Sequence, residues 1–421
     1  MGCGYLSVCD SGTIFRRRRG LPGGGSRSSF GGRSTGREER PAGAQIGRIA
    51  GLSVRSFRNL ADADVELPEA GCLIAGPNGH GKTSFIEAML YCEVFRSGRG
   101  AADRELVRFG EDGFHVAVTV GGGPVRSSEQ TPKTPSGLQS YGRQRRVTAG
   151  YDGRTRAKKV TVDGLEPGRL ADAIGVVRGV VLSPRDVALV AGGPRERRHY
   201  LDVLLALTHD GYIGALATYR RALQHRAHAE DGDAAVPWER LLAEHGARIV
   251  EARRRFVERW APEYAARCAA LGEERTATLE YSARTDGTAA ALREALARSR
   301  ERDLARGRTS VGPHRDDLRL GLAGHELRHF GSAGQQRTAA LALRLVEAGA
   351  QGEREGAVSV CLDDAFAELD ERRSRMLGEA IEQLATRGCQ VVAAVPKESD
   401  VPEVIASLPR WRMHGGVCEW R

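Results

Sequence analysis

The chain has 421 residues, enough for two or three domains with real cores. Aromatics are sparse at 5%, Ala, Leu, Val and Arg are abundant, and no run of about 18 uninterrupted apolar residues exists, so a helix-rich soluble protein is expected and a membrane-spanning helix is not. The net charge of +9 is concentrated: residues 1–45 carry +5 and residues 123–160 carry +7, leaving −3 for the rest, so a polyanion partner is permitted but the basicity does not belong to the folded body.

In chain order, residues 1–45 are rich in Gly, Arg and Ser, with Arg16 to Arg19 in a row, and read as a disordered basic tail. The start has no apolar leader, and Met1-Gly2 lacks Ser or Thr at position 6, so a cytoplasmic location without lipidation is expected. Alternation at Ile49, Leu52, Val54 and Phe57, then at Val65 and Leu67, predicts two strands. Cys72-Leu73-Ile74-Ala75 predicts a third. It runs into Gly76-Pro77-Asn78-Gly79-His80-Gly81-Lys82-Thr83, which fits G-x-x-x-x-G-K-[ST], and a helical pattern (Phe85, Ile86, Met89, Leu90) follows. Such a loop aims backbone N–H groups at the phosphates of ATP from a helix N-terminus, with Lys82 at the γ-phosphate and the Thr83 hydroxyl on Mg²⁺. Only five lysines share the chain with 58 arginines, and one of them is Lys82, where a slim ammonium suits better than a planar guanidinium.

Phe114–Val120 alternates again. Residues 121–159 hold Gly, Pro, Ser and Thr with much basic charge and read as a long loop within a hairpin; Arg143, Arg145 and Arg146 are its candidate polyanion contacts. Val176–Leu182 reads as a buried strand. From Pro194 to Arg308 the period is helical, with helices over Tyr200–Ala229 and Ala289–Arg306, and a strand over Thr276–Arg284 between. A stripe of Trp238, Leu241, Leu242, His245, Ile249, Ala252, Phe256 and Trp260 makes one long amphipathic helix, on which His245 reads as a satisfied core histidine. Strands at Leu318–Leu322 and Val358–Leu362 and helices at Gln335–Ala348 and Ser374–Ala385 follow. The eight cysteines are scattered without a C-x-x-C, so they read as buried small hydrophobes in a reducing compartment.

Val358-Ser359-Val360-Cys361-Leu362-Asp363-Asp364 is a mostly apolar run ending in two acids. A strand buried in a parallel sheet would deliver them beside the phosphate loop, as a Walker B strand does, with Asp363 completing the Mg²⁺ shell and Asp364 orienting or deprotonating the attacking water. Ser332-Ala333-Gly334-Gln335-Gln336 opens a helix and makes an anion-binding cap.

In sequence order these parts, with Glu368-Leu369-Asp370 last, resemble ATP-binding-cassette heads, where the signature helix of one subunit caps the γ-phosphate held by the other. The match extends to one family. Val181 to Val190 (VLSPRDVALV), followed by Gly193-Pro194 and Arg197 to Asp202, is similar to the first signature of the RecF proteins. Thr309 to Leu318 (TSVGPHRDDL) resembles their second block, and Gly334-Gln335-Gln336-Arg337-Thr338, Leu362-Asp363-Asp364 and Phe57-Arg58-Asn59 also fit. The resemblance covers about residues 46–396. It implies an α/β fold: an ABC-type, SMC-like ATPase head with a mixed sheet and an inserted helical arm. The head would comprise 46–193 and 308–421, and the insert 194–307. It implies ATP and Mg²⁺ as cofactors, with Ser332, Gly334, Gln335 and Gln336 capping nucleotide across an ATP-dependent homodimer. It also implies DNA (duplex, and single-strand/duplex junctions or gaps) as partner, with RecO and RecR, in recombinational gap repair and RecA loading.

Four features depart from that pattern: the tail, the long basic loop, His80 where the family usually has Gln, and Val395-Pro396-Lys397 without a switch histidine. Asp364 is one methylene shorter than the Glu of fast cassette ATPases, so slow turnover is expected. The alternatives are a transporter ATPase subunit, which would need a conventional L-S-G-G-Q signature and a membrane partner, and a nucleotide-gated clamp that hardly turns over. A full SMC tether is excluded, because only 281 positions separate Lys82 from Asp363.

Overall fold

In the computed structural model the described residues are 46–122, 144–356, 358–397 and 401–420. The tail 1–45, Arg143 with most of the basic loop, and Cys3 and Cys9 lie outside them. The chain opens with β1 (Ile46–Arg55), β2 (Ala63–Glu66), β3 (Gly71–Ala75), α1 (Lys82–Val94), β4 (Gly113–Gly122), β5 (Arg145–Asp152) and β6 (Ala157–Val162). Then come α2 (Leu170–Ala173), β7 (Gly179–Leu182), α3 (Val187–Ala191), α4 (Pro194–Thr208), α5 (Tyr212–Ala227), α6 (Gly232–Ala270), β8 (Ala277–Ser282) and α7 (Ala289–Ala305). The last part holds β9 (Asp317–Leu322), β10 (His325–Glu326), α8 (Leu327–Phe330), α9 (Ala333–Glu355), β11 (Ser359–Asp363), α10 (Glu371–Thr386), β12 (Gln390–Val395), β13 (Arg410–His414) and β14 (Val417–Trp420).

Three sheets organise these elements. β3, β12, β11 and β7 lie parallel in a six-stranded sheet of order β14-β13-β3-β12-β11-β7, with β13 also parallel to β3 and β14 antiparallel at the edge. Every residue of β3 and of β12 is buried, the continuous apolar run that a strand covered on both faces requires. On one face lies α1, buried nearly all round and roofed by the antiparallel sheet β2-β1-β4-β5-β6: Phe85, Met89 and Tyr91 pack among Leu52, Val54, Val116, Val118 and Val147. On the other face Leu341, Leu343 and Val346 of α9 and Leu377, Ile381 and Leu384 of α10 form one core with α4 and with Trp260, Tyr264 and Cys268 of α6. The base of the long helix is thereby seated in the head.

Several elements differ from their sequence expectations. The region read as a loop over 121–159 contains β5 and the first half of β6, strands whose Val147, Ala149 and Val160 point into the core. Basic side chains on both faces mask that alternation: Lys159 points outward and pairs with Glu166 at 2.8 Å, while Lys158, on the face of Val160, lies over the Tyr91 ring and pairs with Asp103 at 2.7 Å. The single helix over Tyr200–Ala229 is two, α4 and α5, broken at His209-Asp210-Gly211. The strand expected over Val176–Leu182 is confined to Gly179–Leu182. β8 pairs with β9 in a three-stranded sheet, so the boundary expected between residues 307 and 308 passes through that unit. His245 is not a satisfied core histidine, since its buried Nδ1 has no hydrogen-bond partner. The six cysteines among the described residues are free, and all but the half-buried Cys418 are buried.

Candidate nucleotide site

β3 ends at Ala75 and α1 begins at Lys82, so residues 76–81 form the turn between a central strand and a buried helix. Gly81 closes that turn at φ 109°, which side chains with a Cβ seldom adopt. The N-terminus of α1 has no side-chain cap and no acid in its first turn, which leaves backbone N–H groups and the positive dipole end open to an anion. Lys82 Nζ donates to the carbonyls of Gly76 at 2.6 Å and Pro77 at 2.9 Å, folding over the loop it would share with a phosphate. Burial lowers the pKa of its ammonium, against the pull of Asp364 and Asp363, so a bound anion would relieve it.

β11 lies two strands away from β3, with β12 between them, and the parallel register brings the C-terminal ends of all three to one crevice. There the Thr83 hydroxyl donates to Asp363 Oδ1 at 2.9 Å, across 280 residues of sequence. Burial raises the Asp363 carboxyl above its usual range, as does neighbouring Asp364, while Thr83, Arg99 and Arg185 oppose the shift. A hydroxyl and a crowded, desolvated carboxylate side by side make an oxygen donor set that fits a small hard cation. Asp364 stands at φ 57°, in the left-handed region, and its N–H continues the ladder to the Ala394 carbonyl at 3.0 Å. The chain turns sharply here, at the point where a second carboxylate is wanted beside the first.

Sequence reasoning passed over a charged cluster behind the loop. Glu87, one turn into α1, is buried; it takes Arg58 Nε at 3.0 Å, the Ser97 hydroxyl at 2.5 Å and, at 3.7 Å, Arg99. Asn59 Nδ2 donates to the Gly79 carbonyl at 2.8 Å, and its Oδ1 accepts the Ser84 hydroxyl at 2.8 Å. Arg185 follows β7, whose Leu182 is in register with Leu362, and so comes up beside the end of β11. A lone acid inside the apolar run Phe85-Ile86-Glu87-Ala88-Met89 is the signal that could have exposed this cluster.

Ser332 is the N-cap of α9: its hydroxyl accepts the Gln335 N–H at 3.3 Å while Gln335 Oε1 accepts the Ser332 N–H at 3.0 Å, a reciprocal capping box. Gln336 Nε2 donates to the Leu327 carbonyl at 3.0 Å, and a Cβ at Gly334 would lie 2.5 Å from Arg373 Nη1. The structure thus gathers Lys82, Thr83, Asp363 and Asp364, whereas Ser332, Gly334, Gln335 and Gln336 stay bonded around the start of α9. Arg145 and Arg146 sit on β5 and not on a loop: Arg145 Nε pairs with Asp163 Oδ2 at 3.1 Å, and Arg146 is exposed. Among the described residues no helix is long and apolar enough to cross a membrane.

A family model described as an AAA domain matches residues 52–127, which span the phosphate loop. The DNA replication and repair protein RecF of Chloroflexus aggregans is 35% identical over 400 residues, covering 87% of this chain and 97% of the relative. RecF of Roseiflexus castenholzii is 32% identical over 399 residues, covering 87% and 98%. A solved structure of the recombination mediator protein RecF with ATP, of the RecFOR pathway, superposes with TM-score 0.77 at 26% identity, covering 91% of this chain and all of that one. The Smc head domain of Pyrococcus yayanosii superposes with TM-score 0.51 at 12% identity, over 88% of this chain and 96% of that one, a likeness of fold.

Proposed function

We propose a function from one premise: the chain belongs to the RecF family of DNA replication and repair proteins. On that premise it is an ATP-binding protein with an ABC-type ATPase head, and its finer role is an ATP-gated DNA-binding ATPase of recombinational gap repair. The observation that carries this reading is the Thr83–Asp363 hydrogen bond of 2.9 Å, because it joins the phosphate loop to the acidic strand at the place a Mg²⁺ would occupy. The residues from Gly76 to Thr83 cradle the triphosphate, with Lys82 at its terminal phosphate. Thr83 and Asp363 hold Mg²⁺, which would neutralise phosphate charge when bound. Asp364 positions or activates the attacking water, and its short side chain favours slow turnover.

Ser332, Gly334, Gln335 and Gln336 open a helix whose capping bonds involve no residue of the phosphate loop, and on the family pattern they serve the nucleotide of a second copy, so that ATP drives dimerisation. DNA, at duplexes and at junctions or gaps, binds with help from Arg143, Arg145 and Arg146. RecO and RecR are the partners in loading RecA, in the cytoplasm. The experiment is steady-state ATP hydrolysis with gapped, single-stranded and duplex DNA, with molar mass followed by light scattering. Gapped DNA should stimulate most, ATP should double the mass, and Ser332→Arg should bind ATP as a monomer. A wild type whose mass ignores ATP and whose hydrolysis ignores DNA would overturn the reading.

A further inference from the structure

The phosphate loop is held from behind by the last two strands of the chain. Gly415 and Gly416 make the turn between β13 and β14. The Gly416 N–H donates to the His80 carbonyl at 3.0 Å, and the Gly415 N–H donates to His80 Nδ1 at 3.0 Å. The rings of His80 and His414 lie side by side, centroids 4.7 Å apart. Beside the hairpin turn, Asn59 holds the Gly79 carbonyl and the Ser84 hydroxyl, both at 2.8 Å. The Ala61 N–H then donates to the Gly416 carbonyl at 2.9 Å, which closes a circuit of loop, 59–61 turn and hairpin turn.

That circuit has a directional consequence. A trans peptide points its C=O and N–H in opposite directions. Fixing the Gly79 carbonyl on Asn59 turns the His80 N–H away from that residue. Fixing the His80 carbonyl on Gly416 turns the Gly81 N–H away from the hairpin, toward the open end of α1. The hairpin cannot drift from this seat: Trp411 and Met413 are buried, and Arg410, Trp411 and Arg412 register with Leu73, Ile74 and Ala75 of the strand that feeds the loop. Nor does it tolerate a side chain at its tip. Gly416 has φ 83°, and a Cβ there would lie 2.1 Å from the Asn59 carbonyl oxygen.

We propose that the C-terminal hairpin turn is part of the nucleotide site, with Gly415 and Gly416 as positioning residues that act through His80 to aim the His80 and Gly81 amides at the phosphates of a nucleoside triphosphate. The inference rests on the ATP reading given above. Amides already aimed need no reorganisation when the phosphates arrive, so loosening the seat weakens binding of the triphosphate.

The test measures ATP dissociation constants by calorimetry on the full chain, with the nucleotide-free melting temperature alongside. Lys82→Ala should bind no ATP. Gly416→Ala should weaken binding on the order of tenfold, the effect of misaiming one hydrogen bond to a charged group. His80→Leu, which loses the Nδ1 acceptor at a half-buried position, should weaken it several-fold with little change in melting temperature. His80→Gln should recover much of that loss, because its amide oxygen can accept the Gly415 N–H. If Gly416→Ala does not fold, the two His80 variants decide: equal affinities for Leu and Gln reject the proposal. ATP bound by the wild type, lost in Lys82→Ala and kept in every hairpin variant would sink this inference alone. A wild type that binds no ATP would take down the nucleotide reading and this inference with it.

Discussion

In the helical half of the molecule each large buried arginine meets an acid, whereas at the foot of the parallel sheet a half-buried acid and a buried one lie near one another. Arg197 forks onto Asp317 at 2.9 and 2.8 Å, joining α4 to β9. Arg226 reaches Glu239 at 3.0 Å and Asp303 at 3.1 Å, joining α5, α6 and α7. Arg253 reaches Asp202 at 2.7 Å and the Pro313 carbonyl at 2.8 Å. Burial alone would raise the Asp202 carboxyl, but Arg253 and Arg220 outweigh it and hold that group below the usual carboxylate range. Asp303 is likewise held low, because hydrogen bonds from Ser310, Ser299 and Arg226 outweigh its burial. At the foot of the sheet, burial and the nearby Glu347 push Glu93 up to about 8, although it accepts the Gly179 N–H at 3.2 Å. Glu347 is also raised by burial, in spite of Arg344 at 2.6 Å. The two halves therefore respond to pH in opposite senses. Asp202 and Asp303 contribute stability that is present above their unfolded pKa of about 4 and lost as pH falls through their lower folded values. Glu93, raised on folding, is best tolerated below about 4.5, and its contribution is lost as pH rises toward about 8.

The largest effect that could break this contrast is the loss of Arg226. Its removal leaves Asp303 buried with a charge and without its cation, and breaking such a pair costs about 3–5 kcal/mol. Arg226→Ala should lower the unfolding free energy by that amount in urea titrations at pH 7. A cost under about 1 kcal/mol would mean that water enters and the buried pairs do not weld the helices. Glu93→Gln sharpens the other side of the comparison. The amide oxygen can keep the Gly179 N–H while removing the charge, so the variant should be more stable than wild type at pH 8 by at least about 1 kcal/mol. The gain should shrink toward zero near pH 4.5. A gain that is the same at both pH values would locate the strain in packing and not in ionisation.

The same contrast explains what could be read from the sequence. The nucleotide half was legible because a parallel strand buried on both faces is written as a short apolar run, and the loop from Gly76 to Thr83 and the pair Asp363-Asp364 stand at the ends of two such runs. The long helix α6 was legible from its stripe of apolar residues between Trp238 and Trp260. The buried arginines were not: in a chain with 58 arginines, nothing local distinguishes Arg226 or Arg253 from the exposed ones, since their partners lie 13 to 77 and 51 residues away. Strands β5 and β6 were hidden for a related reason, basic residues standing on both of their faces and their neighbours being Gly- and Pro-rich. The hairpin of β13 and β14 also escaped notice, because it holds His80 through the backbone N–H groups of Gly415 and Gly416, which no residue pattern announces.

The smallest expected effect on stability lies at the margin of the antiparallel sheet, and it separates a role in the fold from a role in binding DNA. Arg145 and Asp163 are paired at 3.1 Å but are 29% and 31% exposed, so solvent screens most of their attraction. Arg145→Ala should cost no more than about 1 kcal/mol, well below the loss of Arg226. Arg146, exposed on the same strand, should cost no more. If these arginines and Arg143 neutralise DNA phosphates, replacing all three by Ala should flatten the dependence of log affinity on log salt. The slope should change by about 0.9 for each phosphate no longer neutralised on duplex DNA. ATP affinity should not change, because β5 pairs with β4 and β6, in a different sheet from the strands that carry the phosphate loop and the acidic pair. An unchanged salt slope with unchanged stability would assign Arg145 and Arg146 to a solvated strand face. The DNA surface would then be sought elsewhere on the head, and Arg197, Arg226 and Arg253, each already committed to an acid, would not be candidates for it.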